Sequence, residues 1–116
     1  MNFELLSLLL ADGGGFFAAA IGALTARNPA AVVMIWMPLK DLETFDAFLR
    51  EAEDAYGGSL LVAEARMRPL TDPMKMNGCA LVLANAPEGF EATLAEVCDW
   101  TVGRLNDNGE AQVRTT

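Results

Sequence analysis

The chain of 116 residues has no histidine and only two cysteines, Cys79 and Cys98. Without histidine there is no imidazole base, no Ser-His or Cys-His pair and no His-based metal cluster. Both cysteines sit in apolar runs, and their spacing matches neither a disulfide framework nor a metal-ligand pattern. They read as small buried hydrophobes, and no metal is expected. Positive charge is scarce too: 8 Lys and Arg stand against 16 Asp and Glu, a net charge of −8. Nucleic acid repels such a surface unless the basic groups gather in one place. Arg66, Arg68 and Lys75 lie close together in sequence. They form either a small phosphate-contacting patch or a solvated strand face. No apolar run approaches the ~20 residues that span a bilayer. Met1-Asn2-Phe3-Glu4 carries no basic region, so a signal peptide is not expected and the cytoplasm is the expected location.

What is present is mostly apolar. Hydrophobic residues make up 53% and charged residues 21%, which argues for a packed core and against disorder. No linker, repeat or low-complexity tract divides residues 1–116, so one small domain is expected. Residues 31–37 form a continuous apolar run with β-branched residues, between Asn28-Pro29 and Pro38. This predicts a strand buried on both faces, as in a parallel sheet. Residues 41–56 predict a helix with Asp41 as N-cap, an apolar stripe of Leu42, Phe45, Leu49 and Ala52, and Gly57-Gly58 as its stop.

Residues 59–68 alternate. Leu61, Ala63, Ala65 and Met67 give a dry face, and Glu64, Arg66 and Arg68 a wet one, which suits an outer strand. A turn-rich stretch with Pro73 and Asn77-Gly78 leads to the apolar strand 79–84. Ten residues are too few for a helical crossover, so these two strands should run antiparallel. A second amphipathic helix is predicted over 88–105, carrying Phe90, Leu94, Val97, Cys98, Thr101 and Leu105, with a short edge strand in the tail from Ala111 to Thr115. Near the start, Phe16 to Arg27 predicts an alanine-rich helix. Residues 3–11 are open between helix, which leucine favours, and a buried strand.

Several local motifs resemble one family. Ile35-Trp36-Met37-Pro38-Leu39-Lys40-Asp41 is similar to its Trp-Tyr-Pro-hydrophobic-Lys segment after the fifth strand. Leu61-Val62-Ala63-Glu64-Ala65-Arg66 resembles its sixth strand, and Met76-Asn77-Gly78-Cys79-Ala80-Leu81 the start of its seventh. Asn85-Ala86-Pro87 stands where the family has Asn-Pro-Pro-Trp, and Asp99-Trp100 resembles a pair in the following helix. The family is the bacterial 23S ribosomal RNA adenine-N6 methyltransferases, and the resemblance covers residues 28–113. It implies an α/β fold, namely the C-terminal half of a Rossmann-like class I methyltransferase sheet, mostly parallel with an antiparallel terminal hairpin whose final strand inserts inside the penultimate one.

The resemblance also implies S-adenosylmethionine as cofactor and ribosomal RNA as substrate. The loop that holds the cofactor follows the family's first strand, in an N-terminal half that has no counterpart here, so no cofactor-binding residue is assigned. The other essential element is an Asp-Pro-Pro-Tyr/Phe motif after the fourth strand. Its carboxylate and a proline carbonyl accept hydrogen bonds from the adenine amine and aim N6 at the methyl carbon. Its aromatic stacks on the extruded base.

No intact copy of that motif exists in this chain, and two alignments stay open. In one, Asp12-Gly13-Gly14-Gly15 replaces it and Asp12 is the catalytic acid. In the other, Phe3-Glu4 is its remnant. The ordinary reading of Asp12 is a turn residue, and of the glycines a plain turn rather than an anion cradle. Trp36 and Pro38 are implied to bind substrate, against a packing role for Trp36. Asn85, at the C-terminal end of an interior strand, is a further substrate-binding candidate, against a turn-capping role. Two functions follow. The chain is a fragment or degenerate member of the methyltransferase family, inactive alone and dependent on a separate N-terminal half. Alternatively it is a non-catalytic interaction module that pairs, as a homodimer or with that half, through the sheet edge left open along 31–37.

Overall fold

The computed structural model describes residues 3–7, 14–72, 74, 77–104 and 109–116, with side chains described from residue 18 onward. The chain order is β1 (Phe3–Ser7), α1 (Gly14–Arg27), β2 (Val32–Leu39), α2 (Leu42–Tyr56), β3 (Leu61–Arg66), β4 (Gly78–Ala84), α3 (Phe90–Arg104) and β5 (Glu110–Thr115). The open stretch near the N-terminus is therefore a strand over 3–7. Its continuation, 8–11, lies outside the described residues. Residue chemistry explains the helix ends. Asp41 is extended (φ −145, ψ 157), and its Oδ1 accepts from the Thr44 N–H at 2.8 Å. Gly57 takes the left-handed conformation (φ 80) and donates its N–H to the Glu53 carbonyl at 2.8 Å.

The five strands form one sheet in the order β1-β2-β4-β3-β5. Only β1–β2 is parallel, while β2–β4, β4–β3 and β3–β5 are antiparallel. The mostly parallel, Rossmann-like sheet expected from the resemblance is thus overturned. The chain forms a small α/β sheet in which antiparallel neighbours dominate. The cause is the β3–β4 hairpin. Helical crossovers β2-α2-β3 and β4-α3-β5 each join strands that run the same way. In the first case β4 intervenes between the two, and in the second β3 does. Parallel direction is kept while parallel adjacency is lost.

Two further expectations change. The edge of residues 31–37 is not open, because β1 pairs along it from Phe3↔Val32 to Ser7↔Trp36. And β3 is not an outer strand, because β5 lies outside it from Arg66↔Glu110 to Leu61↔Thr115.

Side chains alternate between two cores. On one face Val33, Ile35, Leu39, Val62 and Val82 meet Ile21 of α1 and Phe45, Phe48, Leu49 and Ala52 of α2. Each fully buried Phe, Ile or Leu here contributes roughly 1.5–3 kcal/mol. Leu42, expected on this stripe, is 46% exposed, and Phe48 takes the core position instead. The helices approach closely at Gly22, where an added Cβ would stand 2.6 Å from the Ala55 carbonyl oxygen. On the other face Leu61, Ala63, Ala65 and Leu83 meet Leu94, Cys98 and Val102 of α3.

The wet face expected of β3 is also absent. Glu64 is fully buried. Arg66 donates to its Oε1 at 2.7 Å and Arg114 of β5 to its Oε2, while Arg66 also lies 3.8 Å from Glu110. A buried carboxylate with two guanidinium partners is tolerated because the pairing offsets its desolvation, and removing one side leaves an uncompensated charge. Glu64→Ala should lower stability by about 3–5 kcal/mol in urea melts, and a double-mutant cycle with Arg114→Ala should show strong coupling. Gly22→Ala should also destabilise, by about 1–3 kcal/mol from overpacking, against the ~1 kcal/mol gain that alanine brings to an open helix position. Thermal melts of the variant read the sign directly.

Candidate functional site

Strand β2 carries Trp36 and Pro38 toward its C-terminal end, both half-buried on the α3 side of the sheet. The register places Trp36 opposite Leu81 and Pro38 opposite Cys79. The Trp36 indole N–H donates toward the Cys79 sulfur. Beyond Pro38 the chain turns through Lys40 to the Asp41 cap. This turn is held by Asn77, a residue that the sequence placed at the end of a turn and not among the candidate site residues. Asn77 is fully buried. Its backbone N–H donates to the Leu39 carbonyl at 2.7 Å, and its Nδ2 to the carbonyls of Lys40 and Asp72, each at 2.9 Å. Its Oδ1 is buried without a partner among the described residues.

Strand β1 ends at Ser7, level with Trp36, so the chain leaves β1 at the Trp36 end of the sheet. Asp12 and Gly13 belong to the segment that follows and lie outside the described residues, while Gly14 and Gly15 open α1. Phe3 and Glu4 pair with Val32 and Val33, at the other end of β2. The alignment that makes Phe3-Glu4 the motif remnant therefore puts it within a strand, far from Trp36.

Asn85 does not join this group. Because β4 runs antiparallel to β2, its C-terminal end lies beside the start of β2, with Ala84 opposite Val33. Val33 and Pro38 are five residues apart, roughly 17 Å along a strand. Asn85 sits at φ 59, and its Nδ2 donates to the carbonyls of Pro29 and Ala31, both at 3.0 Å. This is a capping arrangement that ties the entry of β2 to the exit of β4.

Of the three basic residues Arg66, Arg68 and Lys75, Arg66 is the one whose ion pairs are described. Arg66 is committed to Glu64 and Glu110, and Lys75 lies outside the described residues. At the Trp36 end, Asp41 accepts from Thr44 with both carboxylate oxygens, and Asp72 accepts from the Met74 N–H at 3.0 Å. Trp36 and Pro38 thus offer an indole face and a proline, suited to a flat ring. No cluster among the described residues has the makings of a metal site, and no helix among them is long and apolar enough to cross a membrane.

Both thiols are free. Burial raises the Cys79 thiol above its ordinary value, only partly opposed by the Trp36 hydrogen bond. Burial likewise raises Cys98, with further contributions from Cys79 and Asp99. Both are poor nucleophiles.

The family model described as "Ribosomal RNA large subunit methyltransferase D, RlmJ" matches residues 13–115. Among curated proteins none matches. Among solved structures, the crystal structure of protein LPL1258 from Legionella pneumophila str. Philadelphia 1 (family DUF519) superposes with a TM-score of 0.81 at 16% identity. The match covers 97% of this chain and 43% of that one, so this chain spans less than half the length of the protein whose fold it shares.

The thiols give a pH test. A thiol whose folded pKa is raised above 9.0 favours the folded state at alkaline pH less than at neutral pH. Its stabilising contribution is complete below the unfolded pKa and is lost as pH rises through the folded one. Urea-melt stability should therefore fall above about pH 9, and a Cys79→Ala, Cys98→Ala variant should show a smaller slope. Iodoacetamide should alkylate both thiols of the folded chain more slowly than it alkylates free cysteine.

Proposed function

Since the chain belongs to the family of ribosomal RNA large subunit methyltransferase D, RlmJ, we propose that it is the C-terminal part of an adenine-N6 methyltransferase directed at large-subunit ribosomal RNA, inactive by itself. The family match over residues 13–115 carries this reading. In it, residues 1–116 are one partial methyltransferase domain. Trp36 and Pro38 face the target adenine, the indole providing a stacking surface. Asp12 stands in for the motif's acid, in the segment that leaves β1 at the Trp36 end of the sheet. Asn85, called a substrate-binding candidate, lies at the other end of β2 from Trp36, and its bonds to Pro29 and Ala31 support a capping role. A cytoplasmic location accords with a ribosomal substrate.

S-adenosylmethionine is the methyl donor of this chemistry, and no residue of this chain is assigned to hold it. Near Trp36, Asp41 and Asp72 are engaged in capping bonds. The cofactor then belongs to a separate part, corresponding to the share of the larger relative that this chain does not cover. The second reading, pairing through a sheet edge, moves from residues 31–37 to the outer side of β1, which has no neighbour among the described residues.

Isothermal titration of the purified chain with S-adenosylmethionine, and with its demethylated product, should give no heat of binding. A micromolar dissociation constant for either ligand would contradict the reading of an incomplete enzyme.

A further inference from the structure

The dipeptide Asn77-Gly78 stands at the entry to β4, and the fold requires both of its residues there. Asn77 is fully buried. Its Nδ2 donates to the carbonyls of Lys40 and Asp72, each at 2.9 Å, so the side chain must be an amide donor. Gly78 passes so close to the Ala65 carbonyl that any Cβ would overlap it. Together they make the sequence in which an asparagine side chain is most open to attack by its own main chain. Asparagine is thermally labile, and a following glycine has no Cβ to shield its nitrogen.

We propose that Asn77 is a site of spontaneous deamidation, which the folded chain keeps closed and which opening of the β4 entry exposes. In the reaction the Gly78 nitrogen attacks Cγ of Asn77. The N–Cγ bond forms, the Cγ–Nδ2 bond breaks, and Nδ2 leaves as ammonia with the proton that Gly78 gives up. Water then opens the five-membered imide at one of its two carbonyls. One opening leaves aspartate at position 77. The other routes the main chain through the side-chain carbon, as isoaspartate.

The structure blocks each step. Ring closure needs the Asn77 backbone and side chain to rotate, and both are fixed. The N–H donates to the Leu39 carbonyl at 2.7 Å, and the carbonyl accepts from Met67 at 2.9 Å and Arg68 at 3.3 Å. The amide plane is held by its two Nδ2 bonds. Negative charge would develop on Oδ1, which has no donor among the described residues to stabilise it. The carbonyls around Nδ2 accept hydrogen bonds and supply no proton to a leaving amine. Once formed, the products bar the way back. Aspartate would set a buried carboxylate against two carbonyls. Isoaspartate adds a main-chain atom just ahead of β4 and displaces its register with β2 and β3. The inference uses none of the substrate-site residues and stands apart from the methyltransferase reading.

Asn108-Gly109 is the same dipeptide elsewhere in the chain and serves as the internal reference. Trypsin separates the two, into peptides 76–104 and 105–114. On deamidation each peptide gains the mass difference between an amide and an acid. In urea both should deamidate at similar rates. In native buffer the Asn77 rate should fall at least about a hundredfold, because reaction proceeds only through the small open fraction. An Asn77→Asp variant, made as the finished product, should either fail to fold by circular dichroism or melt at lower urea than the parent. An Asn77 rate equal in urea and in native buffer would overturn the proposal. So would a urea-unfolded chain in which Asn108 reacts and Asn77 does not, or an Asn77→Asp variant as stable as the parent.

Discussion

The arrangement depends on how β4 enters the sheet, and Asn77 controls that entry. Its backbone N–H takes the carbonyl of Leu39 at the end of β2, and its own carbonyl takes the N–H of Met67 at the end of β3. Its side chain binds the carbonyl of Lys40 across the next turn. One buried residue thus fastens the strand on either side of β4 before the first ladder bond of β4 forms. Gly78, next in the chain, can follow only because it has no side chain: a Cβ there would stand 2.3 Å from the Ala65 carbonyl oxygen. From this point β4 runs between β2 and β3, and both cores take their composition from that insertion.

Much of this order was legible in the sequence. The length of the link after residue 66 and the turn chemistry at Asn77-Gly78 required a hairpin, and β3 and β4 are paired antiparallel. The Asp41 cap and the Gly57 stop were readable because capping is local chemistry. What misled was non-local. The alternation of Glu64 and Arg66 looks like a wet strand face, yet Glu64 is buried, because Arg114 arrives from fifty residues away to neutralise it. The continuous apolar run of β2 read as part of a parallel sheet, yet a strand can be buried on both faces with one parallel and one antiparallel neighbour. Leu42 and Phe48 exchanged places because a helix stripe fixes spacing, while the exact angle at which the helix docks is set by its neighbours.

The candidate site was legible in part. Trp36 and Pro38 share one end and one face of the sheet because they are two residues apart on a strand, a relation that sequence alone supplies. Asn85 was grouped with them by its place at a strand's C-terminal end. That reasoning holds among parallel strands and inverts for β4, whose end lies level with the start of β2. Register, invisible in a single sequence, places Asn85 at the opposite end of β2 from Trp36. The family match covers residues 13–115, and the chain spans less than half the length of the larger solved relative.

The Glu64–Arg114 pair has a consequence for how the molecule is made. During synthesis β3 leaves the ribosome well before Arg114 has been added, and until then Glu64 has only Arg66 to balance it. A carboxylate so placed resists burial, and the outer side of β3 stays without its strand. The β3 side of the sheet can close only once β5 is available to supply Arg114, so β3 and β5 are completed together. Any cut that removes β5 would return β3 to that unfinished condition.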